Sequence, residues 1–390
     1  MGDDSRPHLR ALTGLRFVAA FQVLAYHAMP VAAAPGWLRA LVGSGYVGVS
    51  LFFVLSGFVL TYTYHDALTT GRATRRDFLV ARVARLYPVY LLALLVALPP
   101  MFWLLGRKHV ALDWGWLARI LGLNVGLLQA WNPKMACVLN CPAWSLSVEA
   151  FFYVAFLVLL PVVARWGVRR LLATAAVAWV LSMVAPLVYL TLLPDGTNAP
   201  TAHSLGTWLY TVKFNPLLRF PEFVTGVVAG RLFLLEERPS LRRYARLEVA
   251  AGACVVAVLI ASPRIPFLLM HNGLLAPAFA VLVYALARGA GPLSSALSTR
   301  PLTRLGEASF AVYILHISLL AWLTRGYAET GIRPPAQPWN FAIYAAIVIA
   351  VSLLVFRWVE EPARRFLRRR LSPPRAAREA VAPAPEMTAA

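Results

Sequence analysis

The chain has 390 residues, of which 59% are hydrophobic and only 14% charged, and its formal net charge is +20. A soluble domain of this size carries about 25% charged residues. This much apolar surface exceeds what a soluble core absorbs, so lipid must cover much of it. The basic excess does not point to nucleic acid. Its arginines cluster between long apolar runs, the pattern expected from the positive-inside rule and from anionic phosphate groups at one membrane face. These bounds predict an all-α, polytopic membrane helix bundle with about ten transmembrane helices.

Apolar runs long enough to span occur near Leu12–Val31, Gly45–Tyr64, Leu86–Leu105, Trp144–Val163, Leu171–Leu193, Phe214–Leu235, Leu247–Ala261, Leu268–Ala287, Leu305–Leu323 and Phe341–Val359. The first is too long for a cleaved signal and is interrupted by Arg16, so it reads as a membrane helix. A further stretch, Trp114–Ala130, is shorter and carries Arg119, Asn124 and Gln129. Its status decides the topology. If it does not span and the N-terminus is inside, the arginine clusters at 72–85, 165–170, 238–246, 288–304 and 364–370 all face the cytoplasm. If it spans, every cluster after it lands outside. The positive-inside rule selects the first arrangement, with both termini inside and Trp114–Ala130 lying on the outer surface as an interfacial or re-entrant helix.

Residues 1–371 are expected to form one membrane domain. Residues 372–390, rich in Pro, Ala and Arg without periodicity, are expected to be a disordered basic cytoplasmic tail. Cys254, in an apolar run, is expected in the core. Cys137 and Cys141 flank Val-Leu-Asn in a loop; their spacing is weak for a metal, and a disulfide is open to them if the loop is extracellular.

Ionisable groups inside spans cost about 2.5–3.5 kcal/mol each, which makes them functional candidates. They are Arg16, His27, Glu149, Glu222 and His316. Arg16 and His27 share one helix face, since eleven residues at about 100° each return to within roughly 20°, about 16 Å along the axis. Arg16 alone is also read as a snorkelling side chain, and His27 as a hydrogen-bonded core residue. Glu149, about one and a half turns into its span, is expected near the depth of His27. A carboxylate and an imidazole at one level form an orienting pair that lets the histidine act as general base; a structural ion pair is the alternative. Glu222, after Pro221, suits either a helix-start carboxylate or a substrate contact. His316, three residues after Tyr313, suits either an interhelical hydrogen bond or a substrate contact. Arg82 and Arg85, at i and i+3, share a face where a span begins. They suit a phosphorylated donor, although ordinary positive-inside charge also explains them. Gly48, Ser56 and Gly57 allow close helix packing or line a narrow passage for an acyl chain.

Taken in order, five segments carry a family resemblance: Leu12-Thr13-Gly14-Leu15-Arg16-Phe17 with His27; Gly48 to Phe58; Arg82-Val83-Ala84-Arg85-Leu86-Tyr87-Pro88; Trp144-Ser145-Leu146-Ser147-Val148-Glu149; and Leu305-Gly306-Glu307-Ala308-Ser309 with Tyr313 and His316. The closing Val359-Glu360-Glu361-Pro362 is also similar. Together they resemble the acyltransferase-3 family of membrane O-acyltransferases, over roughly residues 9 to 367. The second helix departs from the family pattern, with Gly48-Val49-Ser50 where Gly-Phe-Phe is common.

The resemblance implies acyl-CoA as a cytoplasmic donor substrate, acetyl-CoA first among the candidates. It implies a hydroxylated acceptor: a carbohydrate, a glycolipid or a macrolide. It implies a multi-pass protein of a bacterial plasma membrane. His27 and Glu149 are then the expected catalytic residues, with His27, helped by Glu149, either deprotonating the acceptor hydroxyl or briefly carrying the acyl group. Arg16, Arg82, Arg85, Ser56, Ser145, Glu222, Tyr313 and His316 are the expected substrate contacts. No permanently bound cofactor, metal or nucleic acid is implied, because a thioester is already activated. The rival reading is a proton-coupled transporter of an anionic or sugar-like solute, in which His27 and Glu149 relay protons.

Overall fold

A computed structural model describes residues 9–109 and 111–371. The tail expected at 372–390 lies outside the described residues. Among the described residues the chain is helical, with no strand. Ten main helices organise it: α1 Arg10–Ala28, α2 Gly48–Thr69, α3 Arg75–Arg107, α4 Trp144–Val163, α5 Val168–Leu192, α6 Pro216–Leu235, α7 Leu241–Ala261, α8 Ala276–Ala287, α9 Ser309–Thr330 and α10 Trp339–Val355.

Eight stretches among the described residues, those containing α2–α5 and α7–α10, are long and apolar enough to cross a membrane. α1 and α6 have 19 and 20 residues, but Arg16, Gln22 and His27 dilute the first, and Arg219, Glu222 and Arg231 the second. Both are enclosed by other helices: α1 packs on α9 and on the short helix Arg300–Glu307, and α6 on α2, α4 and α5. Their polar groups thus meet protein where lipid would penalise them. The outer helices show the converse. On α5, Val177, Val180, Leu181, Val184, Leu187 and Val188 are all exposed, which suits hydrocarbon surroundings. Cys254 on α7 is also exposed and free. This corrects its expected place in the core: α7 buries one stripe only, and an apolar position off that stripe faces outward.

The stretch around Trp114 behaves as a non-spanning element. Its helix covers Trp114–Val125, 12 residues, or about 18 Å, well short of a hydrocarbon core of about 30 Å. Asp113 caps it, accepting from the backbone N–H groups of Gly115 and Trp116 at 2.8 and 3.1 Å. The polar residues at its end and just beyond it are buried and hydrogen-bonded to the protein. Gln129 Nε2 donates to the Ala143 carbonyl at 2.7 Å, and Tyr90 OH donates to the Asn124 carbonyl at 2.7 Å. The next loop carries a Cys137–Cys141 disulfide.

Two local features set the site. α1 stops at Ala28 because Met29 precedes Pro30 and turns to extended backbone, φ −80° and ψ 120°. His27 therefore sits in the last turn, nearer the end of its helix than the apolar run to Val31 implied. α3 begins with a reciprocal cap, in which Thr74 Oγ1 accepts from Asp77 N and Asp77 Oδ2 accepts from Thr74 N, each at 3.1 Å. That start puts Arg82 and Arg85 in the second and third turns, on one face.

Candidate active site

Two cavities, each of about 110 Å³, adjoin each other among the helices. Val49 and Tyr313 line both. The first cavity holds Arg16, Arg82, Arg85, Ser56, Ser145 and Glu149. The second holds His27, Tyr26, Tyr46, Trp144, Lys213 and His271.

In the first cavity three arginines face one lining carboxylate, Glu149. Glu149 Oε1 accepts from Tyr153 OH at 2.7 Å and from Ser56 Oγ at 3.2 Å. Arg82 donates to Tyr64 OH at 2.7 Å, and its guanidinium lies 5.0 Å from the Tyr64 ring and 5.9 Å from the rings of Phe78 and Tyr153. Aromatic faces hold this cation without neutralising it. A second carboxylate, Glu360, is buried behind the cavity and acts electrostatically on Arg16 and Arg85. It sits in the π-helical turn Phe356–Glu360 between α10 and the terminal helix Glu361–Leu371. Its side chain turns inward there, in an element type that recurs at functional sites. The cavity keeps a cationic excess, suited to an anionic ligand.

Ser56 and Gly57 divide the two roles the sequence left open. Gly57 faces α6 so closely that a Cβ there would lie 2.2 Å from the Phe223 carbonyl oxygen. That leaves its neighbour Ser56 on the cavity wall. At the junction Tyr313 OH lies within hydrogen-bond reach of Ser145 Oγ at 2.9 Å and of the Pro142 carbonyl at 3.1 Å, and Ser145 Oγ donates to that same carbonyl at 3.0 Å.

In the second cavity His27 Nδ1 lies 2.9 Å from the Val23 carbonyl oxygen, and His316 Nδ1 lies near the Tyr313 carbonyl at 2.6 Å. A carbonyl only accepts, so both Nδ1 atoms carry hydrogen. His316 Nε2, 3.2 Å from His27 Nδ1, then accepts from it. The lone pair of His27 is left on Nε2, on an exposed ring that lines the cavity. Such an imidazole is arranged to take a proton.

The expected pairing of His27 with Glu149 does not form. Glu149 belongs to the Ser56–Tyr153 network of the first cavity, and His316 is the group beside His27. The physical reason is helix packing: α1 lies against α9, which carries His316, whereas Glu149 of α4 is turned to Ser56 of α2 and to Tyr153. Glu222 lines neither cavity. It is fully buried in an ion pair with Arg219, Nε to Oε2 2.9 Å, and Ser50 Oγ donates to its other oxygen at 2.6 Å. Arg219 also donates to the His271 carbonyl and lies 5.3 Å from the Phe53 ring. The carbonyl is presented by a break before α8 at Gly273, φ +94°, where a Cβ would also meet Glu222 Cγ at 2.9 Å.

Arg219, Lys213 and Tyr153 are not singled out by the sequence, and Glu360 enters there only within the closing motif, with no role assigned. The i, i+3 spacing of Arg219 and Glu222 was the available signal for the first.

The acyltransferase domain model of the acyltransferase-3 family matches residues 9–357. The chain belongs to this family. Acyltransferase MdmB of Streptomyces mycarofaciens is 30% identical over 399 residues, 98% of each chain. The peptidoglycan O-acetyltransferase OatA of Listeria monocytogenes is 23% identical over 385 residues, covering 93% of this chain and 56% of that one. The Rhizobium radiobacter protein named Protein 2 in picA locus is 36% identical over 190 residues, 45% of this chain and 92% of that one. No solved structure matches the chain. The protein is a multi-pass, membrane-embedded O-acyltransferase, and its two joined cavities are the place to look for its two substrates.

Proposed function

We propose that the enzyme moves an acyl group, acetyl first among the candidates, from acyl-CoA to a hydroxyl of a carbohydrate, glycolipid or macrolide acceptor. It does so in a bacterial plasma membrane, with both termini and the donor on the cytoplasmic side. The observation that carries this reading is the junction at Val49 and Tyr313, where an arginine-walled cavity meets one that holds an imidazole with a free Nε2.

Arg82 and Arg85 stand near the start of α3 and suit the phosphates of CoA, with Arg16 further along the same cavity. The thioester end extends past Ser56 and Ser145 toward Tyr313. The acceptor occupies the second cavity with its hydroxyl against His27. His27 Nε2 takes the hydroxyl proton as the oxygen attacks the thioester carbonyl. The C–O bond forms, the C–S bond breaks, and the imidazolium returns its proton to the leaving thiolate. The proton on His27 Nδ1 stays shared between the Val23 carbonyl and His316 Nε2. Names of relatives support the chemistry: one is called an acyltransferase and another a peptidoglycan O-acetyltransferase.

The test is to incubate membranes containing the protein with acetyl-labelled acetyl-CoA, measure thiol release, and extract the labelled product. The expected result is equal release of thiol and formation of a labelled ester. Protein that binds solutes but never consumes acetyl-CoA in the presence of hydroxylated acceptors would overturn this reading.

A further inference from the structure

The second cavity contains a charged group that the chemistry above does not use. Lys213 lies in the short helix Thr207–Phe214, outside the candidate membrane spans, and its residue surface is only 6% exposed. Its Nζ donates to the Ala202 carbonyl at 3.1 Å. Three rings surround it: Phe214 at 5.0 Å, Tyr210 at 5.1 Å and Phe267 at 5.5 Å. None of the residues that line the cavity is Asp or Glu. An ammonium has three donors, and one carbonyl satisfies one of them.

Burying such a group costs free energy unless a partner compensates it. Rings and one carbonyl give partial compensation. A full counter-charge is absent from the wall, so the group that best completes this site is an anion entering the cavity. We propose that Lys213 recognises a carboxylate or phosphate on the acceptor, and that the acceptor is therefore an acidic hydroxylated molecule whose ring packs on Tyr26, Tyr46 and Trp144. Burial also lowers the Lys213 pKa to about 8. The recognition is then strongest below that pH and fades above it.

This proposal rests on the second cavity being the acceptor site, so its test reads binding, with no catalytic step. Purified protein in nanodiscs is titrated calorimetrically with methyl glucoside, methyl glucuronide and methyl glucoside 6-phosphate. The expected result is that at least one charged ligand binds about tenfold or more tighter than the neutral one, the worth of one charge-assisted hydrogen bond. The two charged arms distinguish carboxylate from phosphate. Lys213→Met removes the preference and Lys213→Arg keeps most of it, while acetyl-CoA binding reports an intact fold. If Lys213→Met does not fold, Lys213→Gln is read in its place. In the unmodified protein the preference for the charged ligand also shrinks between about pH 7.5 and about pH 9.5, above the ordinary range of His27 and His271, the other titratable bases that line the cavity with Tyr26 and Tyr46. Equal binding of charged and neutral ligands, no binding of either charged ligand, or a preference that survives in Lys213→Met overturns the proposal. Failure of acyl transfer alone leaves these binding outcomes readable.

Discussion

His316 Nε2 lies 3.2 Å from Nδ1 of His27, and two backbone carbonyls fix the direction of that hydrogen bond. His316 is completely buried in α9, while His27 closes the last turn of α1. Tyr344 OH donates to the His316 carbonyl at 2.8 Å, which ties α10 to the same point. Three helices thus hold one tautomer. Under the proposed mechanism, a proton taken on His27 Nε2 would make an imidazolium whose Nδ1–H His316 Nε2 is placed to accept.

The first prediction follows from that geometry. His27→Ala reduces turnover about 10²–10⁴-fold, the usual worth of a positioned acid–base group. His316→Leu is expected to lower kcat with little change in either KM, because His316 lines neither cavity and meets His27. His316→Gln, whose amide oxygen can accept from His27 Nδ1–H, recovers part of the loss. Steady-state thiol release from the reconstituted enzyme checks all three. A folded His316→Leu protein with unchanged kcat returns His316 to a role in helix packing.

The donor cavity yields a different signature. Arg82→Ala or Arg85→Ala weakens acyl-CoA binding by about 1.5–3 kcal/mol each if the lost phosphate contacts are charge-assisted. Arg82→Lys recovers little, since an ammonium does not reproduce the guanidinium among Tyr64, Phe78 and Tyr153. Glu149→Gln and Tyr153→Phe are non-additive with each other, because the first takes the charge from, and the second removes, one and the same hydrogen bond. Glu149→Gln is additive with His316→Leu. Donor affinity measured by equilibrium binding, at low and high salt, reads the first effect, and a double-mutant cycle reads the rest. Unaltered donor affinity in both arginine variants returns them to ordinary positive-inside charge.

How much of this was legible in the residues differs between fold and site. Apolar length and arginine placement were sufficient for the helical class and for the non-spanning Trp114–Val125 helix, because both depend on local composition. The site was legible one residue at a time. Arg16, Arg82, Arg85, Glu149, His27 and His316 stood out because polarity within apolar runs is costly. Their partners did not. Whether His27 meets Glu149 or His316 depends on which helix, α4 or α9, packs beside the last turn of α1, and that leaves no mark in hydropathy. Arg219 and Lys213 lie near helix ends, where exposed cations are ordinary, and only tertiary packing buries them, α2 and the segment before α8 around the first and the rings of Tyr210, Phe214 and Phe267 around the second. Glu360 reaches the arginines through a π-helical turn that no apolar periodicity announces.

A stability prediction comes from the Arg219–Glu222 pair. Both side chains are essentially fully buried, and they join α6 to Ser50 of α2 and to the segment before α8. Removing one partner leaves an uncompensated buried charge, at a cost of about 3–5 kcal/mol. Arg219→Met is therefore strongly destabilising. The double variant Arg219→Met with Glu222→Gln is milder, because no charge is left unpaired. Thermal unfolding in one detergent, without substrate, gives the comparison. A double variant less stable than Arg219→Met alone overturns this account of the pair.

The last prediction concerns the direction of the chain in the membrane, which rests on the arginine clusters and on the Trp114–Val125 helix staying on one side. With both termini inside, the loop between α5 and the Thr207–Phe214 helix faces outward, and the loop between α6 and α7 faces the cytoplasm. Asn198 is exposed in the first and Ser240 in the second. Single cysteines there report sidedness with an impermeant maleimide. The background matters. Cys137 and Cys141 are joined in a disulfide, but Cys254 is free and exposed on α7, so Cys254→Ser must be present first. On that background Asn198→Cys is expected to label in intact cells, and Ser240→Cys only after permeabilisation. The reverse pattern places the arginine clusters outside. It also moves the Arg82–Arg85 end of the first cavity away from the cytoplasm, where acyl-CoA is found, and so removes the topological support for a CoA donor.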